Sequence, residues 1–121
     1  MERRLFHRES IAMNGDLSWV TKGRLGRKQT QRSYVRTLNL SLDGARIELK
    51  GHYPFLVDAV ARIQLGIRYC DVRILDVVHT GERTILRIFF ISPDPDFVSV
   101  IEDQLPSLTA DRELHERKWM A

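Results

Sequence analysis

Three stretches in the middle of the chain alternate apolar and polar residues with a period of two, and this pattern constrains the fold more than anything else in the sequence. Ala61, Ile63, Leu65 and Ile67 share one side of the first stretch and Cys70, Val72 and Ile74 one side of the second, with Arg62, Gln64, Asp71 and Arg73 opposite. Thr84, Leu86, Ile88 and Phe90 repeat the pattern after a turn at Thr80-Gly81-Glu82. Successive side chains of a strand point to opposite faces, so each stretch reads as a strand with one face in a core and one in water. From Arg32 to Lys50 an apolar run, a turn and a second run read as a hairpin, with Asp43-Gly44 as the two-residue turn signal. Short strands joined by Gly-containing turns predict a small closed or nearly closed antiparallel sheet, because closure removes the edges such a sheet would otherwise expose.

The period then changes. Ser92-Pro93-Asp94-Pro95 supplies N-cap and first-turn residues, after which Phe97, Ile101 and Leu105 recur every four positions with Val98 beside them, until Pro106 stops the pattern. This predicts an amphipathic helix of about three turns. The tail from Ser107 to Ala121 can form a second helix, with Glu113 four residues before Arg117, but Leu108, Leu114 and Trp119 make a thin apolar stripe, so it packs on a partner or frays. At the other end, Asn14-Gly15 reads either as a hairpin turn between short runs or as part of one bulged strand.

With 121 residues, 43% of them hydrophobic, the chain suffices for one domain with one core. The division expected is an N-terminal segment 1–10, a body 11–106 and a helical tail 107–121. No run approaches the roughly eighteen apolar residues of a membrane span, and the start of the chain is charged where a signal peptide would be apolar, which predicts a cytoplasmic protein with no membrane insertion. The single cysteine, Cys70, lies in a strand pattern and reads as a small buried hydrophobe. The net charge is +3, too mild to identify a polyanionic partner, but the cations cluster: Arg3, Arg4 and Arg8 open the chain, and Lys22, Arg24, Arg27, Lys28, Arg32 and Arg36 fill a stretch without an acid. That stretch reads as a solvated, flexible loop, as charge runs usually are. Binding to single-stranded nucleic acid is the alternative, disfavoured because Tyr34 is the one aromatic residue between Lys22 and Arg36.

Catalytic patterns are missing. His7, His52, His79 and His115 are scattered, without a second histidine or cysteine at metal-ligand spacing, so no metal site is expected. Nothing matches GxSxG, HExxH or GxxxxGK[ST], and Asp94 and Asp96 at a helix start are explained by the helix dipole. An enzyme is therefore not expected.

Two constellations remain. Arg4-Leu5-Phe6-His7-Arg8 is an RxxxR preceded by Arg3, and Asn39-Leu40-Ser41-Leu42-Asp43-Gly44 is an NxSxxG at the hairpin. Each alone is weak, since turns favour Asn, Ser, Asp and Gly for local reasons. Together, in this order, about thirty residues apart and followed by a small β domain with a terminal helix, they resemble the two-part ligand motif of the PilZ family of bacterial cyclic di-GMP receptors. The resemblance covers essentially the whole chain and fills every motif position: Arg4, Arg8, Asn39, Ser41 and Gly44. It implies a mainly β fold, a six-stranded antiparallel β-barrel with a C-terminal α-helix. It also implies cyclic di-GMP as ligand, no cofactor, and a conformational change read by an unknown downstream protein. An adaptor of the same fold with weak or no ligand binding is the alternative. Arg3 resembles an additional arginine that helps to hold a second, stacked ligand, implying an intercalated ligand dimer.

The chemistry of the residues suits such a ligand. Guanine offers O6 and N7 to a forked donor, and a phosphodiester offers charge; a planar guanidinium meets both and also stacks on a base, which an ammonium cannot do. Asn39 can present a donor and an acceptor to a guanine edge, Ser41 a hydroxyl to a phosphate or base, and Gly44 a close backbone approach. The basic stretch between Thr21 and Arg32, read as a long connection, and the tail beyond Pro106 depart from the family pattern without touching the motif.

Overall fold

A computed structural model describes residues 11–105. The expected segments 1–10 and 107–121, with Arg3, Arg4, Arg8, His7, His115 and the stop at Pro106, lie outside the described residues. Within them the chain forms β1 (Asn14–Lys22), a short 3-10 turn at Arg24–Gly26, β2 (Lys28–Leu40), β3 (Gly44–Lys50), β4 (Val60–Leu65), β5 (Arg68–Thr80), β6 (Arg83–Ile91) and α1 (Pro95–Asp103). The six strands close into a barrel in the order β1-β2-β3-β6-β5-β4, antiparallel throughout, as expected.

The alternation reads out directly in the core. Ala61, Ile63 and Leu65 of β4, Cys70, Val72 and Ile74 of β5, and Thr84, Leu86, Ile88 and Phe90 of β6 are buried, joined by Leu17, Val35, Leu40, Ala45, Ile47 and Leu49. Ile67 is the exception: it is 79% exposed, because Gly66-Ile67 form the tight turn between β4 and β5, with Gly66 at φ +62°. Gly81 at φ +56° makes the corresponding turn between β5 and β6. Asn14-Gly15 is neither a hairpin turn nor a bulge. The pair opens β1, and Gly15 sits between Val35 and Leu65 on the two neighbouring strands, where a Cβ would collide with the Gln64 carbonyl.

The basic stretch is not a long connection. β1 and β2 stay paired from Asn14↔Arg36 out to Lys22↔Lys28, leaving a connection of only Gly23 to Arg27, pinned by Gly23 N–H donating to Arg27 O at 2.6 Å. Residues 28–32 are exposed on both faces, so this end of the ribbon carries no inward apolar residue that could have revealed a strand.

The helix closes one end of the barrel. Asp94 accepts the Phe97 N–H at 2.8 Å as N-cap, and Pro95 occupies a first-turn position where its missing N–H costs nothing. Phe97, Ile101 and Leu105 are buried, and the Phe97 ring meets Phe90 edge-on at 5.1 Å. At the opposite end, the 51–59 loop folds Tyr53 and Phe55 against Trp19, with ring centroids 5.3 and 4.7 Å from it. Thr84, buried on the inner face of β6, is satisfied by this loop: it accepts from Tyr53 N–H and donates to Gly51 O. His52 and His79, scattered in sequence, stack here at 5.2 Å, each with its Nε2 on a backbone carbonyl, of Gly81 and Tyr53 respectively. No cluster of three or more metal-ligating side chains occurs among the described residues.

Candidate functional site

The hairpin that joins β2 to β3 lies at the helix-capped end of the barrel. Its three connecting residues, Ser41-Leu42-Asp43, are held from within. The Ser41 side chain is completely buried; its hydroxyl hydrogen-bonds the Asp43 carboxylate, lies 3.1 Å from Gly44 O, and accepts from Gly44 N–H at 3.3 Å. A hydroxyl has one proton, and the carboxylate is the stronger acceptor, so the Ser41 proton belongs to Asp43. In this structure the Ser41 hydroxyl organises the turn from within.

Gly44 is likewise required by the frame. It is the first residue of β3 rather than a turn residue, and a Cβ on it would run into the carbonyl oxygen of Ile88 on β6. The same junction carries Phe90 N–H donating to Asp43 O at 2.9 Å and Ser41 N–H donating to Gly44 O at 3.0 Å. Here β3 and β6 approach so closely that only glycine fits.

Asn39 faces outward. A bulge between Thr37 and Asn39 places Leu38 as the extra residue, so that Thr37 pairs with Ile47, Asn39 with Arg46 and Leu40 with Ala45. The Asn39 carbonyl oxygen accepts the Arg46 backbone N–H at 3.1 Å, and so the acceptor half of its amide is engaged by the fold. Its NH2 group remains as a donor.

Thr37, which sequence reasoning did not single out, ties residues 11 and 13 to the end of β2. Its hydroxyl accepts from Met13 N–H at 2.7 Å and donates to Ile11 O at 2.5 Å, while its own N–H donates to Met13 O at 2.8 Å. Residues 11–13 are thereby fastened beside the hairpin, two residues from Asn39. The available signal was a threonine at an inward strand position, since a buried hydroxyl must find partners.

The outer face beside the hairpin carries Arg46, Arg87 and Phe89, all exposed, with Arg46 opposite Arg87 and Phe89 opposite Gly44. Further along the same face lies a depression of about 500 Å³ lined by Tyr34, Arg36, Glu48 and Arg83 among others. There Glu48 accepts from Arg36 at 3.4 Å and from Arg83 at 3.0 Å, so the two guanidinium groups share one carboxylate. Cys70 is buried and its thiol is pushed up by that burial, against the opposing hydrogen bond to the Ile91 carbonyl, in keeping with a small core residue.

No family model matches the chain, and no curated protein matches it in sequence. Solved structures do. The PilZ domain of Escherichia coli YcgR with c-di-GMP aligns at TM-score 0.57 and 18% identity, covering 99% of this chain and 100% of that one. YcgR from E. coli in complex with c-di-GMP aligns at TM-score 0.55 and 18% identity over 97% of this chain and 50% of that chain. The K. pneumonia MrkH–c-di-GMP complex aligns at 0.60 and 14% over 95% and 56%. The chain thus spans about half the length of the YcgR and MrkH chains, and its closed six-stranded barrel with a C-terminal helix has the fold of a PilZ domain.

Proposed function

We propose that this chain is a receptor for cyclic di-GMP, not an enzyme, and that residues 1–10 close over a ligand seated on the β2–β3 hairpin. The observation that supports this reading is the tether at Thr37, which holds Ile11 and Met13, the residues that follow the arginine motif in sequence, beside the turn that displays Asn39. The arginines supply forked donors to guanine and charge to the phosphodiesters, and the Asn39 amide donates to a base edge. Ser41 and Gly44 serve by keeping the turn in shape. Arg3 suits a stacked pair of ligands, which would appear as two ligands per chain. The altered surface is the signal passed to a downstream protein. Fold kinship with proteins solved in complex with c-di-GMP supports the ligand class.

Calorimetric titration with cyclic di-GMP, beside GTP and a single-stranded oligonucleotide, tests the proposal. Binding is expected for cyclic di-GMP alone, and Arg4→Ala or Arg8→Ala should each weaken it by about 10- to 100-fold, the loss of a charge-assisted contact of roughly 1.5–3 kcal/mol. Hydrogen exchange should show residues 1–10 and 39–44 gaining protection together. Normal affinity in either arginine variant, or preference for the oligonucleotide, would overturn it.

A further inference from the structure

Resting on that reading, we infer that Arg46, Arg87 and Phe89, on the outer face of β3 and β6, form a second subsite of the same ligand, holding one phosphodiester between two guanidinium groups and one guanine against an aromatic ring.

The first ground is an uncompensated charge pair. Arg46 and Arg87 are direct cross-strand partners, and like charges in that relation repel at Cβ separations of about 5 Å. Five arginines of the barrel pair with acids, Arg32 with Asp16, Arg62 with Asp71, Arg68 with Asp96, and Arg36 and Arg83 with Glu48, while Arg73 donates to the Asp58 carbonyl. Among the described residues neither Arg46 nor Arg87 has an ion pair. Asp76, the neighbour of Arg87 on β5, directs its carboxylate to Val77 N–H instead, at 3.0 Å. Two adjacent guanidinium groups, neither of them in an ion pair, suit an anion that accepts from both, and a phosphodiester with two free oxygens does so.

The second ground is Phe89. Its neighbours Ile88 and Phe90 point into the core, so its ring stands on the solvent side, 44% exposed. It lies opposite Gly44, which has no side chain to cover it, and two residues along β6 from Arg87, about 7 Å. A flat apolar ring beside a cationic pair is the pairing that nucleotides recruit, base on ring and phosphate on cations. The third ground is continuity. Arg46 is coupled to Asn39 by its backbone N–H, so the row Asn39, Arg46, Arg87 runs unbroken across β2, β3 and β6 from the hairpin.

The test uses the full chain and cyclic di-GMP. Arg46→Gln with Arg87→Gln, and separately Phe89→Leu, alter exposed side chains, so the melting temperature of the ligand-free protein should hold within about 2 °C and serves as the folding control. Each should weaken binding by about tenfold or more. In NMR spectra of the complex a guanine H8 resonance should be displaced upfield by the Phe89 ring and lose that displacement in Phe89→Leu, a change that a merely structural role would not produce. Replacing both arginines by lysine should restore only part of the affinity, because charge returns without the fork. If both sets of variants bind within twofold of the parent while Arg4→Ala weakens binding by about tenfold or more, the subsite is refuted and the receptor reading stands. If the parent chain itself does not bind cyclic di-GMP, both fall.

Discussion

Replacing Gly44 by alanine should destabilise the ligand-free protein. The added methyl group meets the Ile88 carbonyl oxygen, part of the backbone of β6, and cannot be accommodated by rotating a side chain. β3 and β6 must separate locally, straining the Phe90 N–H to Asp43 O and Ser41 N–H to Gly44 O hydrogen bonds. Forced overpacking of this kind costs about 1–3 kcal/mol. With a shift of roughly 4–8 °C per kcal/mol for a domain near this size, the midpoint should fall by on the order of 10 °C. Scanning calorimetry of parent and variant without nucleotide reads this directly, and the urea midpoint should drop with little change in slope. A variant that melted within 2 °C of the parent, yet failed to bind cyclic di-GMP, would refute the argument, because Gly44 would then be needed for access of the ligand and not for the frame.

Further outcomes follow from other contacts. Thr37→Val leaves Met13 N–H and Ile11 O without their partner; amide exchange at Met13 should accelerate and cyclic di-GMP affinity should fall several-fold, whereas an unchanged affinity would remove the tether from the site. Asp94→Ala removes the N-cap of α1 and should cost about 1 kcal/mol in denaturant unfolding, while Asp94→Ser should restore most of it. Cys70, buried and with its thiol pushed up from its ordinary value, should react slowly with thiol reagents at neutral pH and at the full rate of a free thiol once urea unfolds the chain.

What the sequence disclosed depended on whether burial left a mark on residue type. β4, β5, β6 and α1 each bury one face, so their apolar spacing gave them away. The outer half of the β1–β2 ribbon buries nothing between Lys28 and Arg32, and backbone pairing alone is invisible in the side chains. Ile67 followed the alternation into a turn, where the period no longer applied. At the hairpin the residue types were legible but their roles were not, because a turn that must bond to itself and a turn that must bond to a ligand select the same Asn, Ser and Gly. Arg46 and Arg87 are 41 positions apart, and only the register of β3 against β6 sets them side by side. The available hint was Phe89, an aromatic residue on the outward phase of a strand whose inward phase was already apolar.

The bulge at Leu38 separates two properties that a strand ordinarily confounds. If Leu38 were deleted, Thr37 would still face inward, Asn39 outward and Leu40 inward, since two-fold alternation resumes without a misplaced side chain. The residue therefore contributes curvature rather than pattern: it turns the end of β2 more sharply as it reaches the hairpin. A one-residue deletion would keep Asn39, Ser41 and Gly44 and their facing while changing only the angle between Asn39 and the part of β2 that Thr37 ties to Ile11 and Met13. Shape at this rim can drift independently of chemistry, so chains with identical motif letters can differ in how tightly, or whether, the two halves of the motif converge.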